Sequence, residues 1–179
     1  MVAMAGCQKS GTTDPGASGK CGGKIAIFGA FSGGNAGVVL PSRDGAKLAI
    51  EKFNTANPNC KVTMVEFDTE GDAAKATPVA NQVAADQSFV AVIGGHFSGE
   101  SRATMKTYEG GGLVMVSPSA TATDLTTTGN KSFHRVVGND DSQGPAIANY
   151  ISKVWKSQAV FIVDDGSAYG AALANTVKT

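Results

Sequence analysis

The sequence feature that most constrains the fold is a recurring pattern, in which a short apolar run stops abruptly at small residues. The clearest run occupies residues 113–116, stops at Ser117 and Pro118, and is followed by small hydroxyl residues. Such a run is typical of a buried strand in a parallel sheet. A second run, residues 89–93, ends at a glycine pair. Because ligands of open α/β sheets bind outside the carboxyl ends of the strands, both loops are predicted to form half of a ligand cleft, with hydroxyl groups available to a small polar ligand.

Four further apolar runs alternate with stretches of helical periodicity. The runs cover residues 24–31, 61–67, 133–137 and 159–163. After the first of them, Ala46, Ala49, Ile50 and Phe53 recur at the spacing of one helix face. Alternating strands and helices joined by short loops predict an α/β fold with a doubly wound parallel sheet.

Prolines mark the starts of two helices. Pro41 is predicted to open the first helix, because proline is common at the first helical position. The second helix has two possible starts. Either Asp72 caps it and Pro78 lies inside, or Thr77 caps it and Pro78 takes the first position.

Composition excludes several classes of protein. The 179 residues include 15 Lys and Arg against 15 Asp and Glu, so no basic excess favours nucleic acid as a partner. No apolar run approaches the roughly 20 residues of a membrane-spanning helix. Glycine motifs for dinucleotides or phosphate are missing, so no cofactor is predicted. Asp68, Glu70 and Asp72 lack the other ligands of a calcium loop, and a solvated loop is favoured over a metal site.

A catalytic serine is the main enzyme hypothesis. Ser98 lies two residues after His96, but the spacing of the surrounding glycines is not that of a nucleophile elbow, and no acid is placed to orient the histidine. An α/β hydrolase that uses Ser98 is therefore the weaker alternative. Ser98 is instead predicted to cap the helix that follows it, and the protein is predicted not to be an enzyme.

The N-terminal residues resemble the end of a bacterial lipoprotein signal. The sequence VAMAGC, residues 2–7, places small residues before Cys7, which the resemblance makes the lipidated residue. The charged and long apolar parts of a signal are missing, so the start is expected to be trimmed. The following segment to residue 20, rich in Ser, Thr and Gly, is predicted to be a flexible tether. The alternative is an unstructured terminus with an incidental cysteine.

After this tail the chain resembles the first half of a type I periplasmic substrate-binding protein, and more narrowly the leucine/isoleucine/valine receptors of ABC importers. The segments that carry the resemblance are, in order, KIAIFGAFSGG, DGAKLAIEKFN, VEFDTEGD, VIGGHFSGES, YEGGGLVMVSPSATATDLT, FHRVVGNDDSQGPAIANYI and AVFIVDDGSAYGAALA. The family has two α/β lobes joined by three crossovers. The resemblance implies a signal remnant and tether (1–20), lobe 1 with the first crossover (21–138) and a truncated beginning of lobe 2 (139–179).

The resemblance also implies which residues bind the ligand. Ser98 matches a serine that binds the α-carboxylate, Ser119 a position whose carbonyl accepts from the ammonium, and Thr121 a threonine that contacts both groups. Tyr169 resembles a lobe 2 tyrosine that closes over the ligand. The alternative for these residues is ordinary capping and turn chemistry.

The implied protein is an extracytoplasmic, lipid-anchored receptor that delivers an amino acid, most simply a branched-chain one, to an ABC permease. Receptors for amides, urea or aromatic acids and a ligand-sensing domain of the same fold are the alternatives.

The same fold implies a disulfide. Cys21 and Cys60 precede the first two strands, which are parallel neighbours in this family, so their N-terminal ends lie side by side. An exported compartment permits oxidation, and Cys7 is left for the lipid. The alternative is a pair of free, partly buried thiols.

Overall fold

The computed structural model of the protein describes residues 21–178, and its centre is a parallel sheet. The strands are Gly23–Gly29 (β1), Val62–Asp68 (β2), Phe89–Gly94 (β3), Val114–Ser117 (β4) and Phe133–Arg135 (β5). They lie in the order β2-β1-β3-β4-β5, and every neighbouring pair is parallel. Each of these strands coincides with one of the predicted apolar runs, and helices connect successive strands. The predicted α/β fold is therefore confirmed.

Six α-helices connect or follow the strands in the described part of the chain. They are Ala36–Ala56 (α1), Ala73–Ala85 (α2), Ser98–Gly110 (α3), Asp124–Thr127 (α4), Asp140–Asn149 (α5) and Ala168–Val177 (α6), and a π-helical turn, Tyr150–Trp155, continues α5. None of the helices described is both long and apolar enough to cross a membrane.

The two proline-marked helix starts had different outcomes. The prediction that Pro41 opens α1 is wrong, because α1 begins five residues earlier and Pro41 lies inside it. Proline fits helical φ values, and Pro41, as the sixth residue of α1, removes one intrahelical hydrogen bond from a helix of 21 residues. For α2 the first alternative is confirmed, because the Asp72 carboxylate accepts a hydrogen bond of 2.7 Å from Ala74 N, with Pro78 inside the helix.

The main core lies on one face of the sheet. Alternate residues of the central strands point to this face and are shielded from solvent, where α2 and α3 pack over them. The cluster includes Ala26, Phe28, Val92, Met115 and Phe133 from the strands, and Ala76, Ala80, Val83, Met105 and Tyr108 from the helices. On the opposite face α1 buries Ile27 and Val39, while Val90 and Val114 stay about half exposed.

The strand order creates a crevice at the centre of the sheet. From β1 the chain passes through α1 to β2 on one side, and then through α2 to β3 on the other side of β1. The carboxyl ends of β1 and β3 therefore flank the point where the winding direction reverses, which is where open α/β sheets bind ligands. The loops after β1, β3 and β4 open to this crevice.

The predicted strand at residues 159–163 does not form. This segment has no regular structure, and Phe161 is 91% exposed. A strand needs a neighbour to satisfy its backbone, and among residues 139–178 there is no other strand to pair with it. The apolar side chains of this part, including Trp155 and Val163, are correspondingly poorly covered.

The predicted disulfide is present in the structure. Cys21 and Cys60 are joined, with their Cα atoms 4.9 Å apart, at the N-terminal ends of the paired strands β1 and β2. The cross-link closes a loop with a sequence separation of 39 residues. It lies at the end of the sheet opposite to the crevice.

Replacing both cysteines, as Cys21→Ser with Cys60→Ser, should lower the free energy of unfolding by about 4 kcal/mol. A loop of this size loses that much chain entropy in the unfolded state when it is cross-linked. Guanidinium unfolding of the chain, followed by circular dichroism, measures the loss. The matched control is Cys7→Ser, which should leave the midpoint unchanged, and an equal loss in control and double variant would contradict the assignment.

Candidate ligand-binding cleft

A cleft of about 310 Å³ opens at the carboxyl ends of the central strands. All four residues that the sequence suggested as ligand-binding residues line it, together with neighbours from α1, the β3–α3 loop and α5. The lining residues are Val38, His96, Phe97, Ser98, Ser119, Thr121, Gln143 and Tyr169. The structure thus brings together loops that lie far apart in the sequence.

Two glycines direct the chain from β3 into the cleft. Gly94 and Gly95 have φ values of 148° and 62°, which side chains rarely tolerate, and a Cβ atom on Gly94 would lie 2.5 Å from Phe28 O. This turn aims the N-terminus of α3 at the cleft. The residue that caps α3 is Phe97, in an extended conformation, so the prediction that Ser98 caps it is wrong by one residue.

Serine hydroxyl groups brace the two loops that carry the candidate site. Ser117 Oγ donates to Gly95 O at 2.7 Å, and Ser119 Oγ donates to His96 O at 2.7 Å. In the other direction, Ala122 N donates to Ser98 Oγ at 3.2 Å. Three hydrogen bonds thus hold the β3–α3 loop against the β4–α4 loop.

This bracing corrects the expectation that the hydroxyl groups all stay available to a ligand. The hydroxyl protons of Ser117 and Ser119 are already donated to carbonyls. Ser98 Oγ accepts one hydrogen bond, so its own proton remains for an acceptor in the cleft. Thr121 Oγ1 is buried and has no partner among the described residues. Ser98 and Thr121 therefore carry the hydroxyl groups that a ligand would use.

His96 forms part of the cleft wall without being arranged for catalysis. Its Nδ1 lies 3.1 Å from Phe28 O and its Nε2 lies 3.2 Å from Ser42 Oγ. These partners fit a neutral imidazole that donates from Nδ1 and accepts at Nε2. Burial lowers the pKa of His96, although the Phe28 carbonyl opposes this. Both ring nitrogens are occupied away from Ser98, so the geometry does not support a serine–histidine pair.

A buried carboxyl group stands directly behind the cleft wall. Glu100, in the first turn of α3, is fully buried. Its carboxylate accepts hydrogen bonds from Thr69 Oγ1 and, at 3.3 Å, from Phe97 N. Burial raises the pKa of the Glu100 carboxyl and also raises that of the neighbouring Tyr108 hydroxyl well above its usual range.

The lining of the cleft carries no formally charged side chain. Arg102, the nearest cation on α3, points away and forms a bidentate pair with Asp124 at 2.7 and 2.8 Å. The cleft is therefore suited to charges that are met by N–H groups, hydroxyl groups and carbonyls. The first N–H groups of α3 have no carbonyl one turn earlier to bond, and they lie at the positive end of the helix dipole.

Residues after Gly138 close one side of the cleft. Gln143 Nε2 donates to the Tyr169 hydroxyl at 3.1 Å, which links α5 to α6 at the rim. Asp140 N donates to Thr121 O at 2.9 Å, and both carboxylate oxygens of Asp140 are buried with no partner among the described residues.

The sequence analysis placed the loop of His96 and Phe97 at the cleft but missed three lining or adjacent residues: Val38, Gln143 and Asp140. No local pattern marks these three, because their place follows from how separate parts of the chain meet. The proline–serine boundary at the end of β4 was the usable signal, because it marked the loop whose Ser119 and Thr121 line the cleft in the structure.

Comparison with known proteins identifies the family of this chain. A sequence model of a periplasmic binding protein family matches residues 23–179. The chain belongs to the periplasmic binding protein family. The leucine-specific-binding protein of Salmonella typhimurium is 36% identical over 157 residues, which cover 87% of this chain and 42% of that relative. The chain thus spans less than half the length of this relative.

Solved structures of the family superpose on the same region. LivJ of Streptococcus pneumoniae, a branched-chain amino acid transporter substrate-binding protein in complex with isoleucine, has a TM-score of 0.80 at 27% identity, with 87% of this chain and 45% of LivJ covered. The leucine-binding protein LivK of Thermotoga maritima has a TM-score of 0.77 at 26% identity, with 86% and 44% covered. The relatives are binding proteins.

Replacing Thr121 by valine should leave the free energy of unfolding of the ligand-free protein unchanged, or raise it. The hydroxyl group is buried without a partner among residues 21–178, and a methyl group there has no desolvation cost. Ser98→Ala should instead lower the free energy of unfolding by about 1–3 kcal/mol, because the buried Ala122 N–H loses its acceptor. Denaturant unfolding compares the two variants, and a larger loss in Thr121→Val would contradict this account of the cleft.

Proposed function

We propose that this chain provides one side of an extracytoplasmic receptor that binds a small α-amino acid, most simply a branched-chain one, for an ABC importer. The observation that carries the proposal is the cleft itself, where a free helix N-terminus, the Ser98 hydroxyl and the unpartnered Thr121 Oγ1 converge. The relatives named above that bind leucine or isoleucine support the choice of ligand class.

The ligand's carboxylate lies at the start of α3. The positive end of the helix dipole and its unbonded N–H groups favour an anion there, and Ser98 still has a proton to donate. The ammonium group lies against the Ser119 carbonyl and Thr121 Oγ1, on the neighbouring loop. Donors thus follow β3 and acceptors follow β4, which matches the two ends of a zwitterion without a charged side chain in the lining.

The ligand's side chain lies toward the apolar part of the wall. Val38 and Phe97 supply this part, and neither brings a polar group that a hydroxylated ligand would need. An aliphatic side chain gains the most from such contacts, since its binding follows the apolar area removed from water.

The remaining part of the receptor encloses the ligand from the other side. Residues 21–138 form the first lobe with the first crossover, and residues from 139 begin the second lobe, which Tyr169 and Gln143 bring to the rim of the cleft. The relatives are more than twice as long as the matched region, so their second half has the room to supply the missing wall.

Cys7 is the proposed lipid attachment that keeps the receptor beside its permease. Cys7 and the tether lie outside the residues that the structure describes, and the small residues before Cys7 support this part of the proposal. The proposed activity is ligand binding rather than catalysis, because both ring nitrogens of His96 bond to groups other than Ser98.

A receptor for a neutral amide or urea is the second candidate. The absence of charged side chains from the cleft lining favours it, because a neutral ligand needs only the hydrogen-bonding groups described above.

Titration calorimetry of the full-length gene product with leucine, isoleucine and valine tests the proposal. Thr121→Val should weaken binding by about 1.5–3 kcal/mol, or roughly 10- to 150-fold, because the ligand's charged groups lose a hydrogen bond. The matched control is Thr127→Val, an exposed threonine of α4, which should bind as the wild type does.

The outcomes separate the candidates. Uptake of a simple amide or urea with no response to any α-amino acid would replace the zwitterion with a neutral ligand. Hydrolysis of an ester or amide that depends on Ser98 would replace the receptor with an enzyme.

A further inference from the structure

We propose that Glu100 is a positioning residue whose protonation is coupled to binding: it holds the first turn of α3 in place and takes up a proton when a carboxylate binds at Ser98. The inference rests on the proposed function, which places a ligand carboxylate at this helix end. Glu100 lines no part of the cleft and does not contact the ligand.

The geometry gives Glu100 its positioning role. Its carboxylate accepts from Phe97 N, the backbone group directly before Ser98, and from the hydroxyl of Thr69, which follows β2. Thr69 is itself fully buried and fixed through its N–H to Gly29 O at 2.9 Å. The start of α3 is therefore tied through Glu100 to the end of β1.

The electrostatics give the coupling. An ionised Glu100 already interacts favourably with the positive end of the α3 dipole, from the buried side of the helix. A ligand carboxylate would approach the same helix end from the cleft. Two carboxylates at one site disfavour each other's charge, and the one that is buried is the one that protonates. Binding of the ligand therefore raises the pKa of Glu100 further.

The surrounding groups do not relieve this repulsion. The titratable and charged groups of the elements packed around Glu100 are Asp68, Glu70, Asp72 and Lys75 of the β2–α2 region, Arg102, Lys106, Tyr108 and Glu109 of α3, Asp124 of α4, His96 of the β3–α3 loop and Tyr169 of α6. Lys106 is exposed, and Glu109 accepts a hydrogen bond from Lys131 N. Lys75 pairs with Glu70 and Arg102 with Asp124, so neither cation is directed to Glu100. Asp72 raises the pKa of Glu100 further.

The sign of the pH effect follows from this arrangement. Glu100 has a higher pKa in the complex than in the free protein, so a proton is taken up on binding at a pH between the two values. Affinity is then highest below the free-state pKa and falls as pH rises through that window. Each unit of difference between the two pKa values changes the dissociation constant about tenfold.

The test is calorimetry of leucine binding to the full-length gene product between about pH 5 and about pH 8, where leucine stays zwitterionic. The wild-type dissociation constant should rise with pH across this range, about tenfold for each unit by which binding raises the pKa of Glu100. Glu100→Gln should bind as tightly at the upper end as the wild type does at the lower end, with no pH dependence. Glu100→Ala, which removes both hydrogen bonds, should bind leucine more weakly than Glu100→Gln at every pH.

A control variant and a second measurement complete the test. Glu51→Gln, an exposed acid of α1, is the matched control and should follow the wild-type pH profile. Binding heats of the wild type in buffers of different ionisation enthalpy measure proton uptake directly, so the inference is tested even if Glu100→Gln does not fold.

The results that would contradict the proton coupling can be told apart from those that would contradict the proposed function. Leucine binding with a flat pH profile and no proton uptake overturns the coupling and leaves the proposed function intact. A pH profile that survives in Glu100→Gln assigns the proton to another group, with His96 the first candidate, and also overturns it. If leucine does not bind at any pH, the same measurements are made with isoleucine and valine. Binding of none of the three at any pH removes the proposed branched-chain ligand, and the inference with it.

Discussion

The cleft of this protein depends on hydrogen bonds between two loops that are joined to neighbouring parallel strands. Ser117, Ser119 and Ser98 each bond to the backbone of the opposite loop, which gives backbone groups at the cleft hydrogen-bond partners. Serine is short enough to make these bonds without filling the space between the loops. The small hydroxyl residues at the end of β4 and in the loop after it therefore serve first to hold the two loops together. The groups that they leave without a partner form the binding surface.

The sheet around this cleft has two ends with different kinds of support. At its N-terminal edge, the Cys21–Cys60 disulfide joins β1 and β2 covalently. At its carboxyl edge, hydrogen bonds hold the loops together, with Gly94 allowing the close approach of β3 to Phe28 and Gly95 allowing that of the β3–α3 loop to Ser101. Such a division places the adjustable part of the molecule at the end where a small molecule would enter.

The sequence predicted the central strands well because their burial makes them continuous apolar runs with sharp ends. It failed where the outcome depends on distant parts of the chain. Residues 159–163 have a strand-like sequence but no partner strand among the described residues, and the start of α1 was placed at Pro41 although the helix accommodates that proline. Within the cleft, Thr121 was recognisable from its loop, whereas the burial of Glu100 arises from a contact with Thr69, 31 residues away.

The hydrogen bond from Asp140 N to Thr121 O has a mechanical consequence. It fastens the first residue of α5 to the loop that carries the unpartnered hydroxyl, directly after the chain leaves the sheet at β5. Between these points Val136 is 73% exposed, and Gly138 gives the backbone freedom. A rotation of the residues after Gly138 must therefore either carry the Thr121 loop with it or break this bond. Because Thr123 Oγ1 of the same loop also donates to Asp141 at 2.9 Å, the loop beside the cleft is one place where a swing of the following segment is transmitted to the sheet.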